Sequence, residues 1–430
     1  MHPSRRRFLL RLAACAAAPG LHRLSFAEDA LSARSDEEGH TLVHLFLRGG
    51  ADTLNLWVPY ADDEYYRQRP TLAIKAPGKD SDAAIRLTDR YALHPGMRPL
   101  EAAFKEGRFG AVQSVGVENR SGSHFECQDQ MEHGDAAEGR SVGGGWLGRF
   151  LRGRIGGADG PAGQSGSALA AVALGTVLPE SLRGAPSASV MQRLEDLRLK
   201  TQRSNPQSEL AGLKALYEAE PGALGGQGRD TMELFGRVAE LRELQPAPEH
   251  GAEYPRGEFG TQLHEVARLI KTRVGLQVAC IDLGNWDTHF FQGAANGQQA
   301  ERIQTLAGGL AAFDTDLKSH RDRYTVMITT EFGRRTYENA SLGTDHGRGF
   351  AFMALGDRVK GGQILGDWPV PVMDESNPLG PGGVEIRVEY RRLFAEVLRG
   401  TFQTDEAELA TIFPDGGLEP VGLMKVAPIA

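Results

Sequence analysis

The chain has 430 residues, with 48 lysines and arginines against 56 aspartates and glutamates, and 40% of the residues are hydrophobic. This composition excludes a disordered chain, and three cysteines are too few for a disulfide-built scaffold. No apolar run of about 18 residues occurs, so the sequence predicts no membrane-spanning helix. The net charge of −8 argues against nucleic acid as the main partner.

The first 27 residues predict an export signal that is not part of the fold. Residues 4–10 (SRRRFLL) form a twin-arginine motif, and a weakly hydrophobic stretch leads to a small-x-small cleavage site at residues 25–27 (SFA). We therefore expect the twin-arginine translocase to be a partner during export, and the mature protein to be periplasmic or secreted. Lipid attachment at Cys15 is the second, less favoured alternative.

Strands and helices alternate along the rest of the chain. Apolar runs predict strands at 41–47, 109–115, 169–174, 276–283, 324–329 and 350–355. Helical periodicity and composition predict helices at 99–105, 123–133, 145–151, 259–272, 298–320 and 388–398. Uninterrupted apolar strands that alternate with helices indicate an α/β fold, with a mostly parallel sheet and helices on both faces.

One domain from residue 28 to residue 430 accounts for this pattern. Between about 190 and 257 the chain is first helical and charged and then linker-like, which predicts a helical insertion in that domain. After removal of the signal, Cys127 and Cys280 remain. They form either a disulfide or two buried free thiols, and the sequence does not decide between these states.

In such a sheet, ligands gather beyond the carboxyl ends of the strands. Acidic, histidine and hydroxyl residues recur at those positions in this chain. Carboxylate oxygen and imidazole nitrogen suit a divalent cation, here zinc, manganese, magnesium or calcium. The predicted metal ligands are Asp52, Asp287, His289, Glu331, Asp345 and His346. The predicted catalytic residues are Thr53, as a hydroxyl nucleophile, and Arg48, which would grip an anion.

Each of these residues also has a structural interpretation. Asp52 and Thr53 could cap a turn, Arg48 could form a salt bridge, and Glu331 could pair with a neighbouring arginine. Asp287 and His289 could form a surface ion pair, and Asp345 could orient His346 instead of binding the metal. On the helix at 123–133, His124 is a further residue considered to line the site, whereas His133 is predicted to be structural or solvated.

The chain resembles the twin-arginine-exported bacterial family catalogued as domain of unknown function 1501, and through it the alkaline phosphatase-like or sulfatase-like superfamily. The segments that carry the resemblance are 46–60, 92–116, 120–134, 284–293 and 329–362. The resemblance implies an alkaline phosphatase-like fold with an acid and a hydroxyl nucleophile after the first strand, here Asp52 and Thr53. It also implies a metal site that includes Asp287, His289, Glu331 and His346.

The chain departs from the superfamily at three places that bear on function. Phe332 stands where the superfamily usually has histidine, Asp287 and His289 are closer together than usual, and the sulfatase motif Cys/Ser-x-Pro-x-Arg is absent. The first hypothesis is a metal-dependent hydrolase of phosphate or sulfate esters, in which Arg48 or Asn55 holds the substrate oxygens. The alternative is a non-catalytic exported protein on the same fold, which binds an anionic small molecule or glycan or assembles with another exported protein.

Overall fold

The computed structural model describes residues 39–119, 121–136, 143–155, 169–196, 206–244, 246–366, 371–372 and 380–425. The predicted export signal, with Cys15, lies outside these residues. None of the helices in the described residues is both long and apolar enough to cross a bilayer, in line with the sequence.

The strands match the apolar runs closely, with short strands added between them. The described strands are β1 (Thr41–Leu47), β2 (Trp57–Val58), β3 (Ile85–Arg86), β4 (Ala92–Leu93), β5 (Phe109–Gly116), β6 (Ala171–Leu174), β7 (Ser189–Met191), β8 (Val278–Leu283), β9 (Tyr324–Thr329), β10 (Phe350–Leu355), β11 (Ile364–Leu365), β12 (Pro371–Val372), β13 (Gly383–Val384) and β14 (Val388–Glu389).

The helices follow the periodic segments. The described α-helices are α1 (Thr53–Leu56), α2 (Asp63–Gln68), α3 (Glu101–Lys105), α4 (His124–His133), α5 (Trp146–Ile155), α6 (Pro206–Ala219), α7 (Ala223–Leu244), α8 (Glu258–Lys271), α9 (Gln298–Asp316), α10 (Tyr390–Phe402) and α11 (Glu406–Ile412). Short 3₁₀ helices occur at Pro95–Leu100, Glu180–Leu182, Leu194–Asp196 and Lys318–Arg323.

The central sheet has the order β11-β5-β10-β9-β1-β8-β6-β7, with β14 also paired to β5. At its centre β1 runs parallel to both β8 and β9. Only β10 is reversed among these strands, since it pairs antiparallel with β9 and with β5. The predicted α/β class with a mostly parallel sheet is therefore confirmed.

Both faces of this sheet are covered, as the uninterrupted apolar strands predicted. All seven residues of β1 are buried. Val43 and Leu45 belong to a core that also contains residues of α8 and α9, whereas Leu42 and Phe46 belong to a second core with residues of α5 and α10. Alternate side chains of one strand thus supply two cores, because successive residues of a strand point to opposite faces.

The register of the central strands determines where the polar loops meet. Leu47 pairs with Leu283, and Phe46 pairs with Thr329. The last residues of β1, β8 and β9 therefore lie side by side at the carboxyl edge of the sheet. The loops that begin at residues 48, 284 and 330 leave the sheet together, although up to 282 positions separate them in the chain.

Several details differ from the sequence expectation. The helix predicted to reach residue 320 ends at Asp316 and continues as the 3₁₀ helix Lys318–Arg323. In the region of the predicted insertion the structure describes α6 and α7, and a distinct inserted subdomain remains a prediction. Cys127 and Cys280 are buried free thiols, which decides between the two states left open by the sequence.

Candidate metal centre

Three histidines surround the carboxylate of Asp287 beyond the carboxyl edge of the sheet. The Nε2 atoms of His124, His289 and His346 lie 3.5, 3.0 and 3.6 Å from the nearest Asp287 oxygen. The ring centroids of His124 and His289 lie 4.4 and 4.8 Å from that of His346. The sequence predicted three of these four residues as ligands, and the structure brings those three together around one point.

Each histidine is anchored through its other ring nitrogen. Nδ1 of His289 lies 2.9 Å from Oδ1 of Asp345, and Nδ1 of His346 lies 2.9 Å from the carbonyl oxygen of Gly122. Nδ1 of His124 lies 2.8 Å from Oε1 of Glu331. All three rings therefore direct Nε2 towards Asp287, and anchoring through the other ring nitrogen is typical of metal-binding histidines. The predicted ligand His289 differs from the other two, because its Nε2 already contacts Asp287 at 3.0 Å and it is not part of the group close enough to share one ion.

Two of these Nε2 atoms have no partner. Nε2 of His124 and Nε2 of His346 are buried and make no hydrogen bond. A buried polar atom without a hydrogen-bond partner costs free energy, and a bound water or ion would supply the missing partner. One ligand atom from each of His124, Asp287 and His346 lies within 4.8 Å of the other two, close enough for one metal ion. The chemistry of this donor set fits a divalent cation.

Burial, and after it the positive charge of Arg334, lowers the pKa of His346 to about 4. The imidazole is therefore neutral at neutral pH, which is the form that binds metals. Burial opposes ionisation of Asp287, but the hydrogen bond and charge of Arg334 outweigh it and lower the pKa of that carboxyl. Two candidate ligands are thus held in the metal-binding protonation state.

The buried Arg334 side chain forms an ion pair with the Asp287 carboxylate and holds it in place. Its guanidinium contacts Oδ1 of Asp287 at 2.5 Å and donates to the carbonyl oxygens of Gly50 and Thr344 at 2.6 and 2.8 Å. Arg334 also forms a backbone bridge with His346, so the loop after β9 folds back on itself. This fold-back returns His346 to the sheet edge that the chain left at Glu331.

Phe332 forms an apolar wall of the centre. Its ring centroid lies 4.9 Å from that of His124 and 4.7 Å from that of His346, and the side chain is buried. In this chain it packs against two histidines and restricts their rings.

Glu331 and Asp345, both predicted as ligands, hold histidines in the structure. The Glu331 side chain is fully buried, and its Oε1 accepts from His124, Gln128 and the amide of Gly49. Burial opposes its ionisation, yet the hydrogen bonds from His124 and Gln128 lower its pKa below the usual range. Oδ1 of Asp345 contacts His289 and accepts from Asn339, so it orients His289 and not His346.

Asp52, predicted as a metal ligand, belongs to a separate buried network. Its two oxygens accept from two guanidinium nitrogens of Arg69 at 2.6 and 3.0 Å, and one of them also accepts from Gln292. Asn55, considered as an oxyanion donor, accepts from Arg69 and Tyr65. An acid beside a fully buried arginine is held there by charge pairing, and the structure does not bring Asp52 to the cation position.

The two predicted catalytic residues are also engaged elsewhere. The buried hydroxyl oxygen of Thr53 accepts from the backbone amide of Ala351 at 2.9 Å. Arg48 pairs with Glu132 at 2.7 Å and with Asp282 at 3.1 Å, and its guanidinium lies over the Phe46 ring. The salt-bridge interpretation describes Arg48, whereas the Thr53 hydroxyl contacts a distant strand and makes no cap hydrogen bond in its own turn.

A second acidic group lies at the far end of α4, around His133. Its ring nitrogens lie 3.5 Å from Glu180 and 3.8 Å from Asp129, and Glu180 also pairs with Arg183 at 3.0 Å. A histidine in the last turn of a helix is favoured there by the helix dipole and by acidic neighbours. This group is therefore a set of polar contacts around a histidine at the end of the helix.

His124 and Arg334 contact Asp287 in the structure, but the sequence marks neither as strongly as the acids and histidines at the strand exits. His124 is the first residue of α4 and joins the centre from a helix, not from a strand exit. The segment 120–134 did carry the family resemblance, and it was the one signal that could have placed His124 among the ligands. Arg334 is one of two arginines that closely follow Glu331 in the sequence, and the structure pairs it with Asp287.

Comparison with curated proteins finds no match, and neither does comparison with solved structures. The scan against family models finds one that covers most of the chain and includes all the residues of the centre. That model is described as "Protein of unknown function (DUF1501)" and matches residues 40–413, so the chain belongs to this family.

Proposed function

We propose that this protein is an exported metal-dependent hydrolase of phosphate or sulfate esters. Its cation would be held by His124, Asp287 and His346. The observation that carries the proposal is the pair of buried, unpartnered Nε2 atoms that face one carboxylate. An all-hydrogen-bonded cluster would need no ion, whereas these two nitrogens gain their missing partner when a cation is bound.

The donor set favours zinc among the four cations considered. Imidazole nitrogen suits zinc, whereas magnesium and calcium prefer oxygen ligands. Three protein ligands with an open position are typical of catalytic zinc sites. Asp287 is 45% exposed on its side chain, so the centre is open to solvent on one side.

When bound, the cation would act as a Lewis acid and make water a stronger nucleophile. The chain's own groups define the rest of the chemistry. We propose water as the nucleophile in place of Thr53, because the Thr53 hydroxyl is buried against Ala351. His289 lies between Asp345 and Asp287, and this position allows its imidazole to carry a proton to or from a bound substrate.

Export and the alkaline phosphatase-like assignment are part of the same proposal. Residues 4–10 carry the twin-arginine motif that supports export in the folded state. Support for the superfamily comes from the mostly parallel sheet and from the position of the centre beyond its carboxyl edge.

The first test is the metal content of the mature protein, purified without a histidine tag or chelator and measured by elemental mass spectrometry. We expect one equivalent of zinc, which is lost in His346→Ala and in Asp287→Asn. His250→Ala is the matched control, because His250 contacts Ser319 near the opposite edge of the sheet. Phosphate and sulfate monoester and diester substrates then test turnover. A folded wild-type protein that binds no divalent metal would contradict the proposal.

A second candidate is a metal-binding protein without turnover. Its supporting observation is that two arginines at the strand exits already form ion pairs within the protein and are not free to bind a substrate anion. Arg48 pairs with Glu132 and Asp282, and Arg334 pairs with Asp287 and backbone carbonyls. Stoichiometric zinc, together with ester hydrolysis no faster than in His346→Ala, would favour this candidate over the hydrolase.

A further inference from the structure

Glu331 joins three segments of the chain through one oxygen atom. Its Oε1 lies 2.8 Å from the amide nitrogen of Gly49, from Nδ1 of His124 and from Nε2 of Gln128. Its Oε2 contacts the hydroxyl of Thr330 at 3.0 Å. The side chain is completely buried, so these contacts are shielded from water.

The chemistry of the His124 contact determines where the imidazole proton lies. Oε1 of Glu331 already accepts from the backbone amide of Gly49 and from the side-chain amide of Gln128, so it is an acceptor and Nδ1 of His124 must carry the hydrogen. In a neutral imidazole the other nitrogen then carries the lone pair, and Nε2 is the atom that faces Asp287 without a partner. The tautomer required for metal binding through Nε2 is therefore the one that Glu331 selects.

The helix geometry adds a second constraint. His124 and Gln128 are four residues apart on α4, and residues at this spacing share one face of a helix. Both donate to the same oxygen of Glu331. The carboxylate therefore fixes the first turn of α4 against the sheet and holds the His124 ring in that turn.

We infer that Glu331 is a positioning residue of the centre and not a metal ligand: it selects the Nε2 lone-pair tautomer of His124 and aims that atom at the cation position. The inference extends the proposed function, on which its metal-affinity part rests. The tautomer is a property of the metal-free protein and does not depend on that proposal. The anchors of the two histidine ligands differ, because Nδ1 of His124 contacts a carboxylate whereas Nδ1 of His346 contacts the neutral carbonyl of Gly122.

The test is ¹⁵N NMR of histidine-labelled, metal-free protein, combined with zinc affinity from a competition titration. The His124→Ala spectrum assigns the His124 signals. We expect wild-type His124 to carry its hydrogen on Nδ1, and Glu331→Ala to give a mixture of the two tautomers. Zinc affinity in Glu331→Ala should fall by roughly 10–100-fold, the usual effect of removing a carboxylate behind a histidine ligand.

Two further variants test whether Glu331 acts by orienting the His124 ring or only by holding helix α4 against the sheet. Glu331→Gln keeps an oxygen acceptor, so it should restore the Nδ1 tautomer and part of the zinc affinity. Gln128→Ala removes a helix-docking contact to the same oxygen and leaves the His124 contact in place, so its tautomer and affinity should stay close to wild type. If Glu331→Ala does not fold, the wild-type tautomer and the Glu331→Gln affinity decide the question.

Three results would overturn the inference. They are a hydrogen on Nε2 of His124 in the wild type, wild-type zinc affinity in folded Glu331→Ala, and a loss in Gln128→Ala as large as that in Glu331→Ala. Wild-type protein that binds no zinc but shows the Nδ1 tautomer would contradict the proposed function and still support the selection of the tautomer by Glu331.

Discussion

Arg69 and Asp52 form a buried ion pair in which two guanidinium nitrogens each donate to a different carboxylate oxygen, at 2.6 and 3.0 Å. Neither side chain is exposed to solvent. Gln292 links this pair to the loops of the metal centre, because it donates to Asp52 and accepts from the hydroxyls of Thr288 and Thr344. Through Gln292, Asp52 therefore helps to hold the loops that carry Thr288 and Thr344 beside the metal centre.

Asp52→Ala should therefore act on stability. Removal of one partner leaves a buried arginine without its counter-charge, which typically costs about 3–5 kcal/mol. Urea unfolding of metal-free protein measures this loss. Asp89→Ala is the matched control, since Asp89 is 91% exposed and pairs with exposed Arg86, and it should cost less than about 1 kcal/mol. Normal stability together with lost zinc in Asp52→Ala would instead make Asp52 a ligand.

Zinc should stabilise the folded protein more than calcium or magnesium does. A ligand that binds only the folded state adds about 3 kcal/mol at a free concentration of roughly 100 times its Kd. We expect thermal unfolding to shift upwards with zinc and to change little with calcium or magnesium at the same concentration, because two of the three ligands are imidazoles. The zinc shift should disappear in His346→Ala. An equal shift with calcium would indicate an oxygen-based site elsewhere.

Gly49 should not tolerate a side chain. Its φ is +120°, and a Cβ atom there would lie 2.5 Å from the backbone nitrogen of Asp287. Gly49→Ala should lower the free energy of unfolding by about 1–3 kcal/mol from backbone strain and should displace the Asp287 loop, so that zinc binding weakens as well. Urea unfolding and zinc titration measure the two effects.

Gly284→Ala is the control for that substitution, because it lies in the loop that carries Asp287 and a Cβ there would meet nothing within 4 Å. It should change stability by no more than about 0.5 kcal/mol. Equal effects of the two substitutions would show that the close approach between Gly49 and Asp287 does not matter.

Acid should destabilise the protein through histidines that are buried in the neutral form. Burial, and after it the charge of Arg48, lowers the pKa of His44 to about 3. Below the unfolded-state pKa of about 6.5 the unfolded chain binds a proton that the native state does not, so stability falls as the pH falls from about 6.5. Each such histidine contributes roughly 1.4 kcal/mol for each pH unit in that window. His40 and His94, with pKa values lowered by burial to about 3 and about 4, act in the same direction.

His44→Leu should therefore reduce the slope of the unfolding free energy against pH. The reduction should correspond to about one fewer proton taken up on unfolding. The measurement is urea unfolding of metal-free protein between about pH 5 and 7.5. Thr329→Val is the control, because it removes the hydroxyl that lies 3.2 Å from Nε2 of His44 and leaves the imidazole in place. An unchanged slope in His44→Leu would show that this histidine is not buried in the neutral form.

The fold was largely predictable because its signals are local. Apolar runs such as 41–47, 324–329 and 350–355 match the observed strands at both ends. The elements that were not predicted are short ones, such as α1 with four residues and β2 with two, in which no periodic pattern can develop. Their positions depend on contacts with the rest of the protein.

The candidate site was predictable only in part. Asp287, His289 and His346 follow strands that end at the same edge, so their convergence could be anticipated from topology. The partner of each carboxylate could not be anticipated. Asp52 meets Arg69, 17 positions away, and Glu331 meets His124, 207 positions away, and no spacing rule connects either pair.

The sequence by itself determined the α/β class, which strands are buried on both faces, and which polar residues follow each strand. These features depend on the local pattern of side chains along a strand or helix and not on the order of the strands in the sheet. Tertiary structure decided which of those residues face the cation position. Hydrogen bonds and ion pairs act over about 3 Å, so a carboxylate's role follows from the donors that the packing places beside it. Asp287 and Asp52 each pair with a buried arginine, but only Asp287 also has three histidines around it, and the histidines separate a candidate ligand from a structural acid.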